Sequence, residues 1–241
     1  MNHIFLSVII PAHNESSRIG KTLERIASYF KTVSYAYEVI VVDDGSSDGT
    51  DSICAAFQTD LPQLRTLRNS SNRGKGYSVR RGMQETSGTF KLFMDADGSV
   101  DISHLDAFLS CAESGFDVVI GSIGLDGSIA IDQNRLYRRI FHTLSKILIR
   151  IIAATGVSDT QRGFKLFSRR AADAIFAKQT IERFGFDIEL LVLAKKHHFS
   201  LKEMPVTWIN SSGSTVTLMS YWKTLRELFT IKSNSIFSKY D

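Results

Sequence analysis

Short, strand-like apolar runs alternate with segments of helical periodicity through the first half of this chain. That alternation restricts its fold more than any single residue does. Phe5–Pro11, Glu38–Val42, Leu64–Leu67, Phe90–Met94 and Phe116–Gly121 read as buried strands. Between them, Ile19, Leu23, Ile26, Ala27 and Phe30 recur at helical spacing, a second helix runs through Ile53 and Phe57, and others lie near 74–85 and 103–113. Strands buried on both faces, with helices between them, predict an α/β fold: a mainly parallel sheet flanked by helices. The second half reads differently. Arg135–Ala154 is a long helical pattern, Gly163–Phe167 a strand, Asp187–His197 a helix, Leu201–Trp208 a strand and Met219–Ile231 a closing helix. At 241 residues, with no linker-like stretch or repeat, one domain is expected.

In such sheets, ligands bind beyond the carboxyl ends of the strands. Three strands end there in polar clusters: Pro11-Ala12-His13-Asn14-Glu15, Asp43-Asp44-Gly45-Ser46-Ser47-Asp48 and Asp95-Ala96-Asp97-Gly98. Any one of them is compatible with a turn or a helix cap, and Asp48 is read only as that. Together they suit a phosphate ligand whose charge is met by a divalent cation. Two carboxylates at i and i+2 on a segment leaving a strand can converge on one Mg²⁺ or Mn²⁺ and leave positions open for phosphate oxygens. Asn72-Arg73-Gly74-Lys75-Gly76 lacks P-loop spacing, but its glycines permit close approach and its cations suit a diphosphate.

These segments resemble family 2 glycosyltransferases of the GT-A fold, and within them the dolichyl- or polyprenyl-phosphate sugar synthases. Asp159-Thr160-Gln161-Arg162-Gly163-Phe164-Lys165, Phe186-Asp187-Ile188-Glu189-Leu190-Leu191 and Glu203-Met204-Pro205-Val206-Thr207-Trp208 carry the later part of the likeness. The resemblance implies a nucleotide-sugar half over about 1–122 and an acceptor half over about 123–241. It implies that Pro11, Ala12, Asn14 and Glu15 border the nucleotide, that Asp44 contacts the base, and that Lys75, Asp95 and Ala96 face the donor. Asp95 and Asp97 would hold Mg²⁺ or Mn²⁺, with Ser99 as a further ligand. The Asp95–Gly98 motif matches glucosyl-type members, so UDP-glucose is the expected donor and a dolichyl or polyprenyl phosphate the expected acceptor. Asp97 is assigned to catalysis. Asp187 is the candidate base, needed if the acceptor is instead a saccharide hydroxyl.

The sequence departs from the family where Ile123 and Thr215 stand at positions that relatives fill with cations. Positive charge for the acceptor phosphate is therefore expected from Arg138, Arg139 and Lys165. Arg138, His142, Lys146 and Arg150 form a basic stripe on an amphipathic pattern, which suits peripheral contact with an anionic membrane. Tyr221, Trp222, Leu225, Leu228 and Phe229 of the last helix are expected to add contact. No window has the composition of a membrane span, and no signal-peptide pattern begins the chain. The expected location is the cytoplasmic face of a membrane. Cys54 and Cys111 read as buried apolar groups, not a disulfide. The net charge of +4 permits a nucleic-acid partner. Strand-end carboxylates would repel one, and no aromatic-basic recognition motif is present, so none is expected.

Overall fold

The computed structural model describes residues 3–131, 157, 162–209 and 218–240. A seven-stranded sheet organises them, in the order β3-β2-β1-β4-β7-β5-β8. Its strands are β1 (Leu6–Ala12), β2 (Tyr37–Asp43), β3 (Leu64–Arg68), β4 (Phe90–Met94), β5 (Val118–Ser122), β7 (Phe164–Ser168) and β8 (Leu201–Pro205). All neighbours are parallel except β7, which runs antiparallel to both β4 and β5. The parallel expectation holds with that one insertion. Because β7 comes from the second half of the chain and lies between two strands of the first, the expected halves share one sheet.

Both faces of the sheet are covered, so every residue of the inner strands β1, β4 and β5 is buried, whereas the edge strands β3 and β8 keep exposed polar residues. Val8 and Ile10 of β1 pack with Val39, Val41, Leu92 and Leu166 beneath α1 (Ile19–Phe30) and α4 (Leu105–Glu113). Ile9, Ile40, Val42 and Phe93 point the other way. They meet α3 (Lys75–Gln84), α5 (Arg169–Lys178), α6 (Phe186–Lys196) and the buried side of α7 (Leu218–Ile236). A short helix, α2 (Thr50–Ala56), contributes Cys54 to the first core.

Leu201–Trp208 is not one strand. It breaks at Val206, and Thr207–Ile209 (β9) pairs with Ile129–Ile131 (β6) as a separate two-stranded ribbon. Val206 sits between them, its N–H donating to Ser122 and its carbonyl accepting from Ile129.

Asp117 fastens the far end of the sheet. Its carboxylate accepts from Arg170 at 2.7 and 2.9 Å, from the Ser168 hydroxyl at 3.1 Å and from the Ser200 hydroxyl at 3.0 Å. Burial opposes the charge, but these donors outweigh it and hold the carboxyl below the usual aspartate range. A depressed folded-state pKa adds stability above the unfolded value and loses it as pH falls through the folded one. Asp117→Asn should therefore cost about 2 kcal/mol at pH 7, and the difference from wild type should begin to narrow as pH falls below about 4. Urea melts at pH 7 and pH 3 check this.

Candidate active site

β1, β2 and β4 are adjacent and parallel, so the three polar clusters emerge on one edge of the sheet. The first two are tied together. Asn14 takes the left-handed conformation (φ 54°), which asparagine tolerates better than most residues. Its N–H donates to the Ser46 hydroxyl at 3.0 Å, and its side-chain oxygen accepts from the Ser47 N–H at 3.0 Å. Glu15 N–H donates to Thr50, and Ser16 N–H to Asp48, each at 2.9 Å. Asp48 also accepts from Thr50, the local turn role expected of it.

Asp44 organises the next loop. One carboxylate oxygen accepts from Asn69 at 2.7 Å and the Arg73 N–H at 2.9 Å, and the other from the Gly74 N–H at 2.7 Å. This fixes the entry to α3 and so places Lys75, whose ammonium lies 2.6 Å from the Asp95 carboxylate. Burial works against that ammonium, but Asp95, Asp187 and Asp97 outweigh it and raise Lys75 above the ordinary lysine range. Lys75 is therefore the shared counter-charge of three carboxylates.

The loop after β4 is equally constrained. The Asp95 N–H donates to the Gly163 carbonyl at 3.0 Å, and the Thr22 hydroxyl donates to the Ala96 carbonyl at 2.8 Å. Asp97 accepts from both the Ser99 N–H at 2.9 Å and the Ser99 hydroxyl at 2.6 Å. Arg18 holds Glu15 with two donors, at 2.6 and 2.7 Å, and lies 4.0 Å from Asp97. Burial raises the Glu15 carboxyl, Asp97 and Asp95 add to the rise, and Arg18 opposes it. Three carboxylates and two cations thus meet at one place, partly open to solvent.

Residues 7–176 match the model of glycosyl transferase family 2. The chain belongs to that family. It is 35% identical over 240 residues to the dolichyl-phosphate β-glucosyltransferase of Drosophila melanogaster, covering 94% of this chain and 74% of that one. The Dictyostelium discoideum protein of the same name is 33% identical over 226 residues, covering 89% and 69%. Among solved structures, the fold matches glucosyl-3-phosphoglycerate synthase from Mycobacterium tuberculosis in complex with Mn²⁺, UDP-glucose and phosphoglyceric acid. Its TM-score is 0.71 at 17% identity, covering 95% of this chain and 80% of that one. Mannosyl-3-phosphoglycerate synthase from Rubrobacter xylanophilus gives 0.65 at 15%, covering 98% and 74%. The architecture is the GT-A fold, and the protein is a glycosyltransferase.

The donor set of this glycosyltransferase suits a divalent cation. Among the described residues no group of three or more His, Cys, Asp or Glu side chains is arranged to enclose a metal. A cation shared with a diphosphate needs only one or two carboxylates from protein, since phosphate oxygens and water complete its shell. Asp95 and Asp97, about a quarter exposed, supply that number. Ser99, expected as a further ligand, here orients Asp97 by donating to it.

Pro11 and Ala12 are buried at the end of β1, where the Ala12 carbonyl accepts from Asp44 N–H at 2.8 Å. Asp187, the candidate base, and Lys165, expected at the acceptor phosphate, are both buried. They are 4% and 1% exposed, and Lys165 donates to both Asp187 and the Arg162 carbonyl. Burial raises the Asp187 carboxyl and Asp95 adds to it, against Lys165 and Lys75. Arg138, Arg139 and the basic stripe, together with Thr215, Tyr221, Trp222 and Leu225, lie outside the described residues or side chains.

Two participants escaped the sequence reading. Arg18 sits three residues after Glu15, a spacing that places them on one face of a helical turn. Gly163 gives Asp95 its room: a Cβ there would lie 2.1 Å from the Asp95 carboxylate. The signal for Gly163 was its place in the Asp159–Lys165 segment, but nothing local pointed to Asp95.

Proposed function

We propose that this glycosyltransferase moves glucose, with inversion, from UDP-glucose to dolichyl or another polyprenyl phosphate. We place it on the cytoplasmic face of a membrane, bound peripherally. The observation that carries the donor half is the Lys75 ammonium, 2.6 Å from Asp95 at the end of β4 and held charged by Asp187 and Asp97 as well. Such mixed charge accommodates a diphosphate together with a metal. The names of the relatives support the glucose and the lipid phosphate, and the Mn²⁺ and UDP-glucose of a structural neighbour support the donor and the cation.

In this reading Asp95 and Asp97 hold Mg²⁺ or Mn²⁺, which when bound acts as a Lewis acid toward the departing diphosphate. The acceptor oxygen bonds to the anomeric carbon while the bond to UDP breaks, and its electron pair stays on the diphosphate. Lys75 would place positive charge beside the departing diphosphate. Ser99 and Arg18 keep Asp97 and Glu15 in register. A phosphate acceptor is already anionic, so no base is required. The burial of Asp187, 4% exposed beneath Lys165, favours this acceptor over a sugar hydroxyl, because a base must reach the proton it takes. Asp44, through the loop it holds, borders the base.

Membrane contact has support from the outer face of α7 and the turn that follows it. Phe229, Ile236 and Phe237 are 63%, 64% and 74% exposed, with Arg226, Lys232 and Lys239 exposed around them. Leu228, expected among the contacts, is instead buried in the core. No described helix is long and apolar enough to cross a membrane. Interfacial adsorption of an apolar strip edged by cations is the mode this face suits.

The test supplies labelled UDP-glucose, UDP-N-acetylglucosamine or GDP-mannose with a short polyprenyl phosphate and Mn²⁺, then extracts with organic solvent. Only label from UDP-glucose should enter the organic phase, and exclusive transfer from GDP-mannose refutes the donor. In parallel, Phe229→Ser with Phe237→Ser should lower sedimentation with phosphatidylcholine vesicles containing phosphatidylserine by about tenfold. Unchanged sedimentation removes this face from the membrane reading.

A further inference from the structure

Glu189 is fully buried on α6 and lies outside the cluster of charges at the end of β4. Its carboxylate is nonetheless saturated by neutral donors. One oxygen accepts from the Thr180 N–H at 3.0 Å, the Thr180 hydroxyl at 2.6 Å and the Tyr240 hydroxyl at 2.6 Å, and the other from the Ile181 N–H at 2.8 Å. Tyr240 is itself fully buried, and Asn234 of α7 donates to Thr180 at 3.1 Å.

What Glu189 fixes is the segment 179–182, and that segment is the floor of the loop bearing Lys75. The Gln179 amide donates to the Gly76 carbonyl at 2.9 Å, and the Tyr77 N–H donates to the Glu182 carbonyl at 2.9 Å. Arg73 and Arg80 reach the Glu182 carboxylate at 3.1 and 3.4 Å. The two backbones approach so closely that a Cβ at Gly74 would lie 2.5 Å from the Glu182 carbonyl oxygen. One at Gly76 would lie 2.5 Å from that of Ile181. A shift of 180–182 by a few tenths of an ångström must therefore move residues 73–77. Lys75 is in their midst, 2.6 Å from Asp95.

We infer that Glu189, with the Tyr240 hydroxyl, is a positioning residue for Lys75, through which the turn after α7 governs how the donor diphosphate is held. The inference rests on the reading that Lys75 faces that diphosphate. Neither Glu189 nor Tyr240 touches substrate. They act by setting the height of the floor beneath the Arg73–Tyr77 loop. Glu189→Gln is a sharp probe, because its amide nitrogen would face an N–H or hydroxyl donor at one of the two oxygen positions. Tyr240→Phe is milder, removing a single donor while keeping the ring.

Amide exchange of the free protein and calorimetric titration with UDP and Mn²⁺ test this. In both variants exchange at residues 73–77 should quicken by about tenfold, the opening expected when one buried hydrogen bond is lost. UDP affinity should fall about threefold to tenfold, with the KM for polyprenyl phosphate unchanged. Leu109→Ala, in the core on the opposite face of the sheet, should lower thermal stability without moving either readout. If Tyr240→Phe and Glu189→Gln only lower the melting temperature, as Leu109→Ala does, the positioning role is refuted. Faster exchange with wild-type UDP affinity also overturns it, by separating the floor from the donor. Wild-type protein that binds no UDP overturns the donor reading itself. If Glu189→Gln does not fold, Tyr240→Phe decides.

Discussion

Asp97→Asn should reduce the turnover number for sugar transfer by roughly 10²–10³-fold, the loss typical of removing one electrostatic stabiliser of a departing anion. The substitution isolates charge from shape. Asparagine keeps a side-chain oxygen that can accept from the Ser99 N–H and hydroxyl, the two donors that orient Asp97. What disappears is a negative charge beside Asp95 and Glu15, so Mn²⁺ should bind more weakly and Glu15 should ionise more readily. Electron paramagnetic resonance of Mn²⁺ measures the first effect independently of activity, and excess EDTA should silence the wild type as thoroughly as the substitution does. Undiminished turnover in EDTA, or in Asp97→Asn, would remove the metal from the reaction.

Gly163→Ala should be nearly as damaging although it alters no charge. The Asp95 N–H bonds to the Gly163 carbonyl, and Phe164 pairs with Met94 immediately beyond, so the backbone cannot retreat. The new methyl would meet the Asp95 carboxylate at 2.1 Å, and the side chain must swing away from Lys75. A displacement of about 1 Å in a catalytic group costs on the order of 10²-fold in rate. Overpacking of this kind costs about 1–3 kcal/mol in stability. Gly20→Ala is the matched control: its Cβ finds ordinary contacts at 3.5 Å and beyond, so both rate and stability should hold. Kinetics and a thermal melt on the pair separate steric displacement of Asp95 from a general intolerance of added methyls. Wild-type activity in Gly163→Ala would show that Asp95 can work from another rotamer.

The strands were legible because burial on both faces leaves a mostly apolar run, as in Phe90–Met94, where Lys91 is the single polar residue and whose ends agree in sequence and structure. Orientation was not legible. A buried antiparallel strand such as Phe164–Ser168 has the same composition as its parallel neighbours, since composition reports burial and not direction. The helix Arg169–Lys178 was overlooked even though Ser168 caps it by accepting from Ala171 N–H. Its apolar face is built on two alanines, Ile175 and Phe176, a weak periodic signal. At the site, strand-end acids were visible as clusters, whereas the pairing of Lys75 with Asp95 and of Lys165 with Asp187 depends on contacts across the sheet. A spacing rule reaches four residues along a chain; these pairs span 20 and 22 residues in sequence, and the former needs the loop held by Asp44.

The position of β7 also bears on how the chain folds. As synthesis proceeds, β1 to β4 can assemble into a four-stranded parallel sheet from the first 94 residues. β5 then has no strand to join, because both of its partners, β7 and β8, come later in the chain. Until Phe164–Ser168 emerges, β4 presents Phe-Lys-Leu-Phe-Met as an open edge, and β5, every residue of which is buried in the folded protein, waits unpaired. Open edges of this composition template mispairing between molecules. Truncations ending near residue 122 should consequently aggregate, and slow closure of long-range pairs should dominate refolding. The strand that brings Gly163 to Asp95 is thus also the clasp that ends the chain's most aggregation-prone interval.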